Sequence, residues 1–121
     1  MSLELAHTKL DIFSVSRKFV LNCYKETKFF PIDEKFALTQ QIRRAAVSVH
    51  LNLAEGSSRK SLSERKRFYE ISRGSVIEID TAFDIAAGLE YVTKDKLAHT
   101  GNLLIRTFQM LSKMIAQAHA G

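Results

Sequence analysis

Interruptions to helical structure are rare in this sequence. Its 121 residues include one proline and five glycines, and these two residue types interrupt helices most strongly. The clearest interruptions are residues 29–33 around Pro31, residues 56–58 that begin with Gly56, and residues 91–95. They divide the chain into four predicted helices, at about residues 9–29, 34–56, 62–90 and 94–118.

Residues that favour helix ends stand at each of these interruptions. Asp33, Ser61 and Thr93 are candidate N-caps of the second, third and fourth helices, because short polar side chains accept hydrogen bonds from the first free backbone N–H groups. Ser61 and Glu64 have the spacing of a capping box. Gly56 stands at the predicted end of the second helix, and glycine is the favoured residue just past a helix C-terminus. The residues at the breaks therefore support the division into four helices.

Apolar residues in each segment recur every three or four positions, which is the spacing of one face of an α-helix. The predicted core faces are Leu10, Phe13, Val20 and Tyr24; Leu38, Ile42, Ala45, Val49 and Leu53; Phe68, Ile71, Ser75, Ala82, Ala86 and Leu89; and Leu97, Leu104, Phe108, Leu111 and Ile115. No segment has the two-residue alternation of a strand. The sequence predicts an all-α protein, an antiparallel up-down-up-down four-helix bundle formed by residues 9–118, with tails at 1–8 and 119–121.

The third helix carries more apolar residues than one buried face requires. Val76, Ile79 and Phe83 form a second row beside its predicted core face. Either this helix contacts two neighbours within the bundle, or the second row is a contact between subunits. We expect the second row to be partly buried between chains, because monomers rarely expose large contiguous apolar patches.

Positive charge is concentrated in the first part of the chain. The whole chain has 18 Lys and Arg against 13 Asp and Glu, a net charge of +5. Residues 1–75 hold fourteen basic and eight acidic residues (+6), and residues 76–121 hold four and five (−1). This asymmetry favours an acidic partner, which is nucleic acid, an anionic membrane surface or an acidic protein.

The sequence also indicates where the protein resides. Cys23 is the only cysteine, which excludes an internal disulfide and is typical of a reducing compartment. No apolar run approaches the roughly 18–20 residues of a membrane span, and the first residues do not resemble a signal peptide. We expect a cytoplasmic protein without membrane contact, in which Cys23 is a packed core residue.

A row of polar residues lies on one face of the second helix, beside its apolar face. Its members are Gln41, Arg44, Ser48, Asn52 and Glu55. Polar groups that close to a core must be hydrogen-bonded, because each unsatisfied group costs roughly 1–3 kcal/mol. The row either forms a network with Ser75 and Glu78 of the third helix or lines a groove that binds a ligand.

The first candidate site for nucleic acid is the segment 59–67, which we call the basic turn. It carries five basic residues in nine positions, Arg59, Lys60, Arg65, Lys66 and Arg67. A loop that leads into a helix N-terminus suits phosphate, because free N–H groups and the helix dipole attract anions. Arg43 and Arg44 are second candidates, and Arg17, Lys18, Lys25 and Lys28 form a third, looser set. Aromatic residues do not alternate with these basic ones, so we expect phosphate contacts rather than base stacking.

The sequence also resembles a known family. The resemblance is carried by Phe30-Pro31, by Phe36 and Leu38, by the runs 41–49 and 52–56, and by 67–69, 74–79 and 88–91. These segments resemble the four-helix-bundle proteins encoded in 23S rRNA intervening sequences and found elsewhere in bacterial genomes. The resemblance implies an antiparallel four-helix bundle, a homopentamer around a central channel, and an RNA-related role. It also implies a relation to the accessory proteins of diversity-generating retroelements, which bind nucleic acid and a reverse transcriptase. Where many members have Pro or Ser, this chain has His50-Leu51, so its second helix is expected to be less kinked.

Signals for catalysis are weak. Glu4 and His7 form the only Glu-x-x-His pair, whereas a di-iron bundle needs two such pairs and two further glutamates. Arg44 and His50 resemble the Arg-x(4–6)-His motif of HEPN-type ribonucleases, but Ala45 replaces the usual polar residue after the arginine. Gly74 is expected to permit close helix approach. We predict a non-enzymatic homo-oligomer, without metal or cofactor, that contacts RNA or DNA. The alternative is an adaptor for another protein, such as a reverse transcriptase or a ribosomal component.

Overall fold

The protein is built from four long helices. The computed structural model describes residues 10–119, with side chains described up to Ala118. Its elements are α1 (Asp11–Thr27), a 3-10 turn (Ile32–Glu34), α2 (Leu38–Ser57), α3 (Leu62–Gly88) and α4 (Ala98–His119). Within the described residues there is no strand, so the predicted all-α class is confirmed. The predicted tail 1–8 and residues 120–121 lie outside the described residues, and residue 119 still belongs to α4.

The helices pack as a four-helix bundle. Each helix contacts the next along the chain, and α1 also contacts α4, which closes the ring of four. The hydrogen bonds between α1 and α2 show that these two helices are antiparallel. Ser16 bonds His50, and Thr27, which comes later in α1, bonds Arg43, which comes earlier in α2.

The described part of the chain contains no helix with the length and hydropathy of a membrane span.

The core of the bundle contains the predicted face of α2. Ile42, Ala45, Val49 and Leu53 are all buried, and Leu38 at the start of the helix is half-buried. On α4, Leu111 and Ile115 are buried, and the other predicted residues pack against the core. Regular spacing identified the buried face of α2, but on α4 it missed Leu103, Thr100 and Thr107, which are buried.

The second apolar row of α3 lies inside this core. Val76, Ile79 and Phe83 are 1%, 0% and 5% exposed in the single chain. The expectation that they are buried between chains is therefore wrong. Because α3 packs against both α2 and α4, it needs a wide apolar face within its own bundle. From the predicted core face of α3, Ile71 and Leu89 point to solvent instead.

The predicted core face of α1 is correct only in part: Phe13 and Val20 pack against the core, but Leu10 and Tyr24 do not. Leu10 and Tyr24 are exposed, and Phe13 and Val20 are half-buried. The buried residues of α1 are Ile12, Val15, Ser16, Phe19, Cys23 and Thr27. This face includes a serine and a threonine, which are buried without cost because each hydroxyl bonds a backbone carbonyl of its own helix. Ile12, Val15, Phe19 and Cys23 have the same helical spacing as the predicted row, so apolar spacing alone could not choose between the two rows.

Two of the three predicted N-caps differ from the structure. Ser61 caps α3 as predicted, since its Oγ accepts a hydrogen bond from the Glu64 backbone N at 3.0 Å. Asp33 does not cap α2: it lies within the 3-10 turn, and α2 begins at Leu38 without a side-chain cap. Thr93 accepts a bond from the Lys96 backbone N at 3.2 Å, but it caps a turn that precedes α4 rather than α4 itself.

Two glycines differ from their expected roles. Gly56 is not past the end of α2 but inside it, buried, where α3 comes so close that a Cβ would clash with Tyr69 and Phe68. Gly74, which we expected at a close helix contact, is exposed, and a Cβ there would meet no atom within 4 Å. The close approach of α2 and α3 thus depends on Gly56.

Candidate nucleic-acid interface

The middle of the polar row links α2 to α3. Ser75 Oγ donates to Ser48 Oγ at 2.9 Å, and Asn52 Nδ2 donates to the Ser48 carbonyl at 2.9 Å and to its Oγ at 3.0 Å. All three side chains are half-buried. These residues form a hydrogen-bonded cluster at the edge of the core.

The other members of the row are exposed to solvent. Gln41 Nε2 donates to Glu78 Oε1 at 2.9 Å across the α2–α3 contact. Glu55 forms an ion pair with Arg59, with 3.3 Å between Oε2 and Nη2. Arg44 is exposed. The expected network with Ser75 and Glu78 is therefore present, and binding of a ligand by this row stays a prediction.

In the basic turn, two arginines hold the turn itself. The Arg59 guanidinium pairs with Glu55 and lies 4.9 Å from the centre of the Phe68 ring. Arg65 Nε donates to the Arg59 carbonyl at 2.6 Å. These contacts fix the connection between α2 and α3 and leave the Arg59 side chain 40% exposed.

The other basic residues of the turn surround the start of α3. Lys60 and Arg67 are exposed, and Lys66 is half-buried. The Arg67 guanidinium lies 6.0 Å from the Phe68 ring centre. The positive end of the α3 dipole points toward the same region. This end of the bundle thus presents a positively charged surface suited to phosphate.

Arg43 and Arg44 are neighbours in the sequence but differ in their contacts. Arg43 Nε donates to Thr27 Oγ1 at 2.9 Å, Nη2 donates to the Tyr24 carbonyl at 3.3 Å, and the guanidinium lies 4.9 Å from the Tyr24 ring centre. It therefore fastens the last turn of α1 to α2. Arg44 is exposed beside it.

Both arginines border an open groove of about 700 Å³ along the outer side of α2, which we call the α2 groove. Its apolar lining comes from Tyr24, Phe36, Val47 and Leu51, and its basic lining from Lys35, Arg43 and Arg44. Among the described residues, these three are the only charged ones that line the groove, so the charge of the groove lining is entirely positive. The volume is within the roughly 300–1,000 Å³ typical of ligand pockets.

The α2 groove contains the aromatic and basic combination that the sequence did not reveal. Lys35 Nζ lies 5.4 Å from the Phe36 ring centre, and Arg43 lies over Tyr24. The sequence shows no aromatic residues interleaved with the basic ones, whereas the structure places Phe36 beside Lys35 and Tyr24 beside Arg43. Tyr24 comes from α1, Phe36 from the connection and Arg43 from α2, so only the antiparallel pairing of α1 and α2 brings them together. A search for aromatic residues at the facing ends of these two helices would have found them.

The two residues of the Arg-x(4–6)-His motif, Arg44 and His50, have different surroundings. His50 Nδ1 and Ser16 Oγ share a hydrogen bond of 2.7 Å, and the His50 ring is 4.2 Å from the Phe13 ring. His50 therefore faces α1, whereas Arg44 lines the α2 groove. Glu4 and His7 lie outside the described residues, within which no group of three or more potential metal ligands occurs.

Cys23 is a core residue, as the sequence predicted. It is fully buried, and burial, together with the charge of Glu26, raises the pKa of its thiol to about 12. A neutral thiol is a poor nucleophile. Cys23 therefore contributes packing to α1.

Comparison with known proteins gives a family match and several structural matches. The family model described as 23S rRNA-intervening sequence protein matches residues 8–113. The crystal structure of a protein of unknown function from the S23 ribosomal protein family of Bacteroides thetaiotaomicron superposes with a TM-score of 0.79 at 20% identity, covering 86% of this chain and 97% of the other. At that identity the likeness shows the fold alone. Among curated proteins, none matches significantly.

Proposed function

Since the chain belongs to the 23S rRNA-intervening sequence protein family, we propose that it is a non-enzymatic, homo-oligomeric protein that binds the backbone of RNA or DNA through a basic surface. The observation that carries this proposal is the basic turn, where five basic residues within nine positions surround the start of α3. Lys60 and Arg67 are exposed there. Phosphate contacts of this kind bind nucleic acid without reading its sequence.

An adaptor function is the second candidate. Phe29, Ile32 and Phe36 in the connection between α1 and α2 are each about 80% exposed, which favours a contact with another protein. The partner would be a protein such as a reverse transcriptase or a ribosomal component. An apolar contact of this kind weakens little with salt.

Salt dependence separates the two functions. The affinity of the protein for a labelled RNA duplex and for a labelled single strand is measured by fluorescence anisotropy between about 50 and 200 mM salt. Backbone binding predicts a linear fall of log affinity with log salt, with a slope of roughly 0.7–0.9 per phosphate contact. No binding to either RNA, or to DNA of the same lengths, would contradict nucleic-acid binding and favour the adaptor.

A different face of α3 supports the oligomer. Ile71, Ile77, Ile85 and Leu89 are each about half exposed. At 3.6 residues per turn, Ile71, Ile85 and Leu89 lie within about 40° of one another, and Ile77 lies about 80° from Ile85. This face replaces the second apolar row as the candidate contact between subunits, and the expected assembly is a homopentamer. Light scattering on the double variant Ile77→Lys, Ile85→Lys should give a lower mass than the unaltered protein. The control is Ile105→Lys, since Ile105 on α4 is equally exposed. A monomer mass for the unaltered protein would contradict the proposal.

A further inference from the structure

We propose that the α2 groove holds an unpaired nucleotide of a single-stranded nucleic acid, with its base stacked on Phe36 and a neighbouring phosphate bound by Arg44. This inference rests on the proposed function and adds a preference for single strands to it. The proposed base contact and the basic turn lie at opposite ends of α2. Phe36 comes just before the start of α2, whereas the basic turn follows its end.

The first observation is the exposure of Phe36. Its side chain is 80% exposed at the edge of the groove, and Leu51 on the groove wall is 61% exposed. Binding of a flat apolar partner over such side chains is favourable, because it removes their apolar surface from water. Every nucleobase has a flat π-face, and stacking on an aromatic side chain tolerates any base.

The second observation is the charge of the groove. Its charged lining residues, Lys35, Arg43 and Arg44, are all basic. Arg43 is held in place by its bonds to Thr27 and to the Tyr24 carbonyl, so its positive charge has a fixed position beside the groove. Exposed Arg44 is the residue able to reach a phosphate, because its planar fork of N–H donors matches phosphate oxygens.

The third observation is the pairing of rings with cations. Lys35 Nζ is 5.4 Å from the Phe36 ring centre, and the Arg43 guanidinium is 4.9 Å from the Tyr24 ring centre. Aromatic rings beside a positively charged groove are the features by which proteins bind single strands. The bases of a duplex are already stacked on one another and do not offer a free face, so the groove selects unpaired nucleotides.

The test compares two equally exposed phenylalanines. Phe36 lines the groove, whereas Phe29, which is 82% exposed in the same connection, does not. Binding of a labelled oligouridine of about 12 nucleotides and of a duplex of equal length is measured by anisotropy for Phe36→Ala and Phe29→Ala. We expect Phe36→Ala to weaken single-strand binding about 5- to 100-fold, with less than about a twofold change for the duplex. Phe36→Trp should retain single-strand binding, because the larger ring also stacks.

Arg44→Gln tests the proposed phosphate contact in the α2 groove independently of Phe36. It should lower the salt slope for the single strand by about 0.7, which corresponds to one phosphate contact. Circular dichroism establishes that each variant is folded, and light scattering gives its mass.

Several results would overturn the inference. Equal single-strand affinities for Phe36→Ala and Phe29→Ala, with steep salt dependence retained, would show that the groove does not bind the nucleic acid. The proposed function would still hold in that case. A lower mass for Phe36→Ala would identify the groove as a contact between copies of this chain instead. An unaltered protein that binds neither probe would contradict both the inference and the proposed function.

Discussion

The ring of Tyr69 lies directly against Gly56, where a Cβ would come within 2.8 Å of Tyr69 Cε1 and 2.9 Å of Phe68 Cβ. This contact brings the end of α2 close to the start of α3 and positions the basic turn, which runs from the connection into the first turns of α3. The Tyr69 hydroxyl and Ser57 Oγ share a hydrogen bond of 3.2 Å beside it. The geometry of the basic turn therefore depends on the absence of a side chain at residue 56.

Gly56→Ala should destabilise the protein. The added methyl group meets a ring and a Cβ that have little room to move, and such overpacking costs about 1–3 kcal/mol. Urea unfolding followed by circular dichroism measures the change. The control is Gly74→Ala, where the methyl group meets open space and should stabilise α3 by up to about 1 kcal/mol through helix propensity. Similar stabilisation by both substitutions would contradict the close contact.

Arg43→Lys should lower stability although it keeps the charge. Lysine cannot reproduce the separate bonds from Nε to Thr27 and from Nη2 to the Tyr24 carbonyl. Loss of these bonds should cost about 1–2 kcal/mol in the free energy of unfolding. Arg44→Lys is the matched control and should change stability by less than about 0.5 kcal/mol, because Arg44 is exposed. Equal effects would show that Arg43 does not fasten α1 to α2.

Glu90→Gly should stabilise the end of α3. Glu90 has a φ of 66°, and the bonds from its N to the Ala87 carbonyl and from the Tyr91 N to the Ala86 carbonyl form a Schellman C-cap. Glycine adopts this left-handed conformation without the cost of roughly 1–2 kcal/mol that a side chain incurs. Thermal melting should show a higher Tm. An unchanged or lower Tm would contradict the strain assigned to residue 90.

Cys23 should be unreactive in the folded protein. Because its thiol has a pKa raised to about 12 by burial and Glu26, it remains neutral at about pH 8, where an ordinary thiol is partly ionised. A thiol reagent should label the chain only after unfolding in guanidinium. Rapid labelling of the native protein would contradict the burial of Cys23.

The same thiol gives stability a pH dependence. The unfolded thiol releases its proton near pH 9.0, whereas the folded thiol keeps it until about pH 12. The unfolded state therefore binds fewer protons between these values, and this contribution to the free energy of unfolding is complete below pH 9 and falls as the pH rises. Cys23→Ala should show a shallower decline in the same range.

A structural feature could be predicted from the sequence where the residues that determine it are close together in the chain. Ser61 caps α3 because the partner of its hydroxyl, the Glu64 backbone N–H, is three residues away. The core face of α2 follows from its own spacing. By contrast, Asp33 had the chemistry of an N-cap, but residues 32–34 form a 3-10 turn, from which Glu34 accepts a bond from the Tyr91 hydroxyl at 2.8 Å. That partner is 57 residues away in the chain.

The candidate sites divide in the same way. The basic turn is a continuous segment, so counting charges was enough to find it. The α2 groove is assembled from Tyr24, Phe36 and Arg43, which become neighbours only when α1 and α2 pack. Arg43 and Arg44 were both second candidates for phosphate, but the bonds of Arg43 to Thr27 and to the Tyr24 carbonyl give it a structural role that the sequence did not indicate.

The central claim is that the basic turn contacts phosphate. The most direct test is the salt slope of RNA binding for the triple variant Lys60→Gln, Lys66→Gln, Arg67→Gln, which leaves Arg59 and Arg65 to hold the turn. The control is Lys94→Gln, Lys96→Gln, Lys113→Gln, which removes the same charge from exposed residues elsewhere.

The account predicts that the slope of log affinity against log salt falls by about 0.7–0.9 for each phosphate that the first variant no longer binds, and that it stays unchanged in the control. Equal slopes for the first variant, the control and the unaltered protein, with all three folded, would contradict the claim.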